Sequence, residues 1–333
     1  MLSRTLPLES ASAAPSHRAA RMGGHITYEM RVHMGITAKQ DWAQAAVPAI
    51  WAAESTNFQI LALLGPHAGT VHTDLGVSRL GPSGRVNPHV HSYEEAIYLL
   101  EGELAVQIAG AAYRLVPGDF AFFPVGTVHA MTNTGPSEVR WMHVNSPVAL
   151  RPESGRTDTF FPVGAAIDLS IATAPNFADP TLRLVGHYGG TSADHVTEAA
   201  AGPARGRASA GMDTGVIAYS GISVKMLVDQ TRGANLLTLF MVDYAVNGAA
   251  QVHDHPFEEG YFFLEGDTSF ELGGEQYQFG PGDVAWAAVG ETHACFNTGG
   301  GPVRWLETQA PVPPRQHSYR WPADWDRYQE DNC

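Results

Sequence analysis

His89, His91, Glu95 and His129 recur 164 residues later as His253, His255, Glu259 and His293. Three imidazoles and one carboxylate form a borderline donor set that suits Fe(II), Mn(II), Ni(II), Co(II) or Zn(II). An octahedral ion held this way keeps two or more positions for water or substrate. Structural zinc prefers four closing ligands rich in cysteine, and this chain has only Cys295 and Cys333. The pattern therefore points to catalysis more than to a structural clip. The residues around the ligands repeat as well: Gly102 with Gly266, Gly118 with Gly282, Gly126 with Gly290, Asn133 with Asn297, and Trp141 with Trp305. From His89 to Trp141 the match needs no insertion or deletion, and only Pro124 is lost, Ala288 standing in its place. A repeat of this kind marks a duplicated domain.

Strands must position these groups. Alternate strand residues share a face, so each His-x-His pair aims both rings the same way. The even step from His91 to Glu95, and from His255 to Glu259, keeps the carboxylate on that face if the strand runs on with at most a small bulge. Glu94 and Glu258 then face away. His143 and Glu307 occupy matching places on the strand after the motif and are candidate catalytic acids or bases beside the metals. Cys295 shares the face of His293, while His67, His72 and His187 read as ordinary residues. The apolar segments are short and separated by Gly, Pro, Asn or Ser, with 35 glycines and 22 prolines in 333 residues. That texture is all-β. Residues 39–53, KQDWAQAAVPAIWAA, suggest a short helix interrupted by Pro48. Residues 193–215 read as an Ala/Gly-rich surface linker. Residues 1–22 read as an arm with no apolar core long enough for a secretory signal. The tail at 321–328, WPADWDRY, has aromatic content that predicts packing over a barrel or a subunit boundary, hence a homodimer or higher homo-oligomer.

The sequence HxHxxxE, then Gly, then GDxxxxPxGxxHxxxN, resembles the motifs of the cupin superfamily, and two copies in one chain resemble a bicupin. The likeness covers residues 56–148 and 219–310. It implies an all-β fold of two tandem cupin barrels of the double-stranded β-helix or jelly-roll kind. The first domain would be 1–165 with its arm, the second 166–333 with linker and tail. It also implies that His89, His91, Glu95 and His129 bind one metal and that His253, His255, Glu259 and His293 bind another. Ala288 touches a turn and no ligand.

A net charge of −14 without any run of basic residues excludes a nucleic-acid surface. No stretch reaches eighteen apolar residues, so no membrane span is expected. Two cysteines build no disulfide framework, which makes reducing cytoplasm the expected home. The expected partner is a small-molecule substrate. Within the resemblance, the leading expectation is a non-haem Fe(II) dioxygenase cleaving a carbon–carbon bond in a small aromatic or enolisable compound. Phe120, Phe122, Phe123, Trp141, Phe262, Phe263, Trp286 and Trp305 would supply an aromatic pocket. The alternative is a Mn-dependent decarboxylase or hydrolase of a small acid, similar to oxalate decarboxylase-like or ureidoglycine aminohydrolase-like bicupins. Oxalate decarboxylase-like motifs usually carry a four-residue spacer before the glutamate, where this chain has three. A non-enzymatic binding or storage-like bicupin is disfavoured, because storage cupins generally lack the ligands that are intact here.

Overall fold

The computed structural model describes residues 36–149, 157–162, 169–190, 216–219 and 221–313. The arm at 1–22, the linker at 193–215 and the tail at 321–328 lie outside the described residues. Among the described residues the chain forms strands and single turns of 3-10 helix, and no helix is long and apolar enough to cross a membrane. The segment expected to hold a short helix folds as two such turns, Trp42–Gln44 and Ala49–Trp51, with Pro48 capping the second. Proline without an N–H suits the start of a turn better than its middle.

The first half curls one sheet around its core by bending a single long strand, Asp74–His91. Its front, Asp74–Leu80, pairs with Val139–Asn145, and its end, Arg85–His89, crosses to pair with His129–Thr132. The bend falls at Gly81–Gly84, where a Cβ on Gly84 would lie 2.7 Å from the Gly81 carbonyl oxygen, so only glycine fits. The second half makes the same turn with two strands, Thr238–Tyr244 and Ala249–His253. A seven-stranded and a four-stranded sheet face one another there.

Edge strands are exchanged between the halves. Ile36–Ala38, which precedes the first barrel, pairs with Val284–Trp286 of the second. Val185–His187, which precedes the second barrel, pairs with Asp119–Ala121 of the first.

Strand alternation then sorts the apolar residues into three layers. Trp51, Phe58, Ile97, Phe123 and Trp141 fill the first barrel, and Tyr261, Phe263, Phe270 and Trp305 fill the second. A third layer joins the barrels, with Leu64, Phe120, Phe122 and Val144 packed against Leu239, Phe262, Trp286 and Leu306. Burying a side chain of this size stabilises the fold by about 1.5–3 kcal/mol each. Phe122→Ala, which empties part of the joining layer, is expected to cost about 3–5 kcal/mol of unfolding free energy in urea titration. Phe160→Ala, at a side chain 56% exposed, should cost less than about 0.5 kcal/mol. Equal losses would contradict this layering.

Candidate metal centres

Each barrel interior brings three imidazoles together at matched positions. His89 and His91 stand at the end of Asp74–His91, and His129 opens the strand His129–Thr132 paired to it. In the second half His253 ends its strand, His255 follows just beyond it, and His293 opens His293–Phe296. The glutamates arrive differently from the expectation. The chain turns at Ser92–Tyr93, and Glu95 belongs to the next strand, Glu94–Glu101. Glu259 likewise belongs to Glu258–Glu265. The strand does not run through with a small bulge; a sharp corner carries the carboxylate back onto the histidine face.

Every ring is oriented by a backbone carbonyl two residues away. Nδ1 of His89, His91 and His129 lies 2.8, 2.6 and 2.8 Å from the carbonyl oxygens of Asn87, Tyr93 and Thr127. Nδ1 of His253, His255 and His293 lies 2.7, 2.8 and 2.9 Å from those of Gln251, Phe257 and Glu291. A carbonyl only accepts, so Nδ1 carries the proton and Nε2 turns its lone pair inward. The buried Nε2 atoms of His91, His129 and His293 make no hydrogen bond of good geometry. Such orphaned acceptors, converging with a carboxylate, fit a divalent cation.

Rings wedge the histidines from behind. Tyr93 stacks on His91 at 3.9 Å and Phe257 on His255 at 4.0 Å. Phe123 stacks on His129 at 4.2 Å. Trp51 meets His89 edge-on at 4.7 Å, and Phe161 flanks both.

The two centres differ at the carboxylate. In the first half the donor atoms of His89, His91, Glu95 and His129 all lie within 4.8 Å of one another. Glu95 Oε2 stands 3.3 Å from His91 Nε2 and 3.8 Å from His129 Nε2, and its side chain is 13% exposed. In the second half the group within that distance comprises the three histidines alone. Glu259 Oε2 still approaches Nε2 of His255 and His293 at 3.0 and 3.2 Å. Yet its oxygens also accept hydrogen bonds from Tyr261 Oη at 2.5 Å and Gln309 Nε2 at 2.6 Å. The positions matching Tyr261 and Gln309 hold Ile97 and Asn145.

Electrostatics follow the same division. Burial lowers His89 to about 4 and His253 to about 3, and pushes His129 well below the ordinary value. These rings are neutral near neutral pH. Burial also lowers His293, but the close approach of the Glu259 carboxylate outweighs that and raises it. Burial opposes charge on Glu95 and Glu259, and the adjacent histidines overcome it in both, holding each below the usual carboxylate range.

The remaining expectations resolve by strand face. His143 and Trp141 point into the first barrel, where Ser78 Oγ lies 3.0 Å from His143 Nδ1. Glu307 and Trp305 do so in the second, and Trp305 Nε1 donates to Glu307 at 2.9 Å. Burial and the neighbouring Glu259 push the Glu307 carboxyl well up, so it holds its proton. Cys295 lies in the second core, its thiol raised by burial and then by Glu307. His187 pairs with Asp119 at 2.7 Å, away from both centres.

Of the eight aromatic residues expected around a pocket, Phe120, Phe122, Phe262 and Trp286 are on the opposite strand face, in the layer between barrels. The period of two decides it, since Phe122 and Phe123 are consecutive and cannot share a face. Trp51, Tyr93 and Phe161 are the aromatic neighbours that spacing missed; the Tyr93 and Phe257 match at the common offset was the available signal.

The described family "Cupin domain" matches residues 76–145 and 240–308. A stretch of 89 residues, 26% of this chain, is 33% identical to polyketide synthase CurC of Streptomyces cyaneus and spans 58% of that protein. Tetracenomycin polyketide synthase protein TcmJ of Streptomyces glaucescens is 36% identical over 100 residues, 29% of this chain and 67% of that protein. The fold is similar to that of a salicylate 1,2-dioxygenase from Pseudoaminobacter salicylatoxidans, solved as adducts with gentisate. The TM-score there is 0.62 at 16% identity, covering 84% of this chain and 83% of that one.

Two expectations follow. His89 and His91 changed together to Ala should remove about one metal equivalent, and the same change at His253 and His255 the other, by elemental analysis of purified protein. Full metal content in either variant would contradict the assignment. Acid should also destabilise the chelator-treated protein. His89 and His253 bind protons more weakly folded than unfolded, so their contribution is present above pH 6.5 and lost as pH falls towards about 4 and then 3. His129 adds to this trend, while the raised His293 opposes it. The melting temperature should fall steadily below pH 6.5, and a flat profile down to pH 4 would refute the neutral-imidazole assignment.

Proposed function

Because the chain belongs to the cupin superfamily in both of its halves, we propose that it is a metal-dependent dioxygenase acting on a small aromatic or enolisable substrate at the first centre. The observation that carries this reading is the asymmetry of the two carboxylates. Glu95 is partly exposed beside three imidazoles, whereas Glu259 is buried and bonded by Tyr261 and Gln309. His89, His91, Glu95 and His129 would hold the metal, Fe(II) in this reading, with Mn(II), Ni(II), Co(II) and Zn(II) compatible with the same donors. When bound, such a metal supplies O₂ activation and polarises a substrate oxygen.

The protein's own groups do the rest. The edge of Trp51 and the ring of Phe161 flank His89 and offer planar apolar walls for an aromatic ring. Tyr93 and Phe123 keep His91 and His129 from rotating and exclude water behind them. His143, inside the same barrel and oriented by Ser78, is placed to hold a proton released by a substrate hydroxyl. In the second half Glu307 serves Glu259 rather than substrate, and that centre contributes mainly to stability.

The names of the Streptomyces relatives favour a polyketide-derived substrate, and in a second reading we pair that substrate with a reaction that consumes no O₂. Oxygen uptake separates the two. With catechols, hydroxybenzoates and diketones offered to the metal-loaded protein, turnover should consume O₂ and stop under anaerobiosis. His129→Ala should lower kcat on the order of a hundredfold, roughly 3 kcal/mol of transition-state stabilisation, while His293→Ala should act chiefly on melting temperature. Turnover that is unchanged without O₂ would exclude the oxygenase in favour of the non-oxidative reading or of a Mn-dependent decarboxylase or hydrolase. A larger loss from His293→Ala would move the active centre to the second half.

A further inference from the structure

The residue before each glutamate ligand reaches into the other barrel. Glu258 accepts hydrogen bonds from the backbone N–H groups of Val71, His72 and Thr73, at 2.7, 2.9 and 2.9 Å. Glu94 accepts them from Asn235, Leu236 and Leu237, at 2.8, 2.8 and 3.3 Å. The donors in the two sets differ by the same 164 residues as the glutamates themselves, so the two contacts are one contact made twice. Both carboxylates are buried, at 2% and 1% exposure. A buried carboxylate that met no donors would be costly, and three convergent N–H groups are a strong anion cradle.

The loops that form these cradles are themselves fixed. Residues 65–70 close a 3-10 turn with Ala68 N–H and Thr70 N–H donating to the Gly65 carbonyl, and residues 229–234 close theirs with Asp229 capping Thr231. Each cradle leads directly into the strand system carrying the other half's histidines. Thr73 precedes Asp74–His91, which ends in His89 and His91. Leu237 precedes Thr238–Tyr244, from which the chain runs on into Ala249–His253, ending in His253. On the glutamate side the coupling is a single peptide step. Alternation points Glu94 into the joint and Glu95 into the barrel, so one cannot shift along the strand without the other. Ser146, paired with Glu94, adds a bond from its hydroxyl to the Leu236 carbonyl at 3.2 Å.

We propose that Glu94 and Glu258 are positioning residues that clasp the two barrels reciprocally and make the two metal centres one coupled unit, each holding the neighbouring ligand carboxylate against the loop that feeds the other half's histidines. This rests on the reading that the eight ligands bind metal. The test uses Co(II) alone as probe. Wild-type protein should bind two equivalents; binding none would sink the ligand reading and the clasp with it. In the His253→Ala/His255→Ala background only the first centre binds. Adding Glu258→Gln there changes no residue of the first barrel, yet is expected to weaken Co(II) binding by about tenfold and to shift its visible absorption bands, as loss of an outer partner does. Glu94→Gln in the His89→Ala/His91→Ala background should do the same to the second centre. A fall in melting temperature with unchanged Co(II) affinity and spectrum would mean ordinary interface packing and would overturn the proposal. Wild-type protein supplies a check that needs no variant: Co(II) loading should slow amide hydrogen exchange at 71–73 and 235–237 severalfold. Exchange there that ignores the metal would also overturn it.

Discussion

Six hydrogen bonds from histidine Nδ1 to backbone carbonyls hold the chemistry of this molecule in place. In each barrel the first ring bonds two residues back, the second two residues forward, and the third two residues back. Each bond fixes a tautomer, and the tautomer decides that the inward nitrogen is a lone pair and not a proton. The carbonyls are backbone atoms at strand ends, so the ligand geometry is set by where strands stop. The corner at Ser92–Tyr93 supplies both the carbonyl that orients His91 and the ring that stacks on it, and then returns Glu95 to the same centre. One turn does three tasks, and the second half keeps the same spacing from His255 to Glu259.

The halves have diverged around an unchanged triad of rings. Three interior positions on the last strand read Trp141, His143, Asn145 in one barrel and Trp305, Glu307, Gln309 in the other. Together with Tyr261, the second set wraps its carboxylate in donors, and burial then leaves Glu307 protonated beside it. The first set leaves Glu95 to the histidines. Two clusters with the same residue types thus have different electrostatics, because what surrounds a buried carboxylate decides how freely it can serve a cation.

The repeat made the clustering of the histidines and glutamates, and the turn residues, legible from residue order alone. Asn133 and Asn297 show why: each side-chain amide donates to three backbone carbonyls, Leu80, Gly81 and Ser137 in one barrel and Tyr244, Ala245 and Gly301 in the other. A residue with so many fixed partners keeps its register. The turn after Ala288 keeps the same bond as the turn after Pro124, Gly290 and Gly126 each donating to a histidine carbonyl at 2.9 Å, and Ala288 adds one that proline cannot make, its N–H donating to Glu291 Oε2 at 2.9 Å. The aromatic surroundings were less legible. Alternation gives two faces per strand, but sequence does not say that in this chain both are buried, one against the histidine cluster and one against the other barrel. Phe122 and Trp286 carry the same apolar signal as Phe123 and Trp305 and serve a different layer. Trp51 reaches His89 from a segment with no counterpart in the repeat, which no internal comparison would find.

The exchanged edge strands give the duplication a direction in time. Ile36–Ala38 completes the sheet of the later barrel, and Val185–His187 completes that of the earlier one, so a cut between the halves strips each of a strand from its own sheet. An ancestor with a single copy could have met these needs by lending its edge to a twin in a symmetric dimer. In the fused chain the interiors differ while the edges stay shared, so a half moved by recombination alone would leave behind a strand of its sheet.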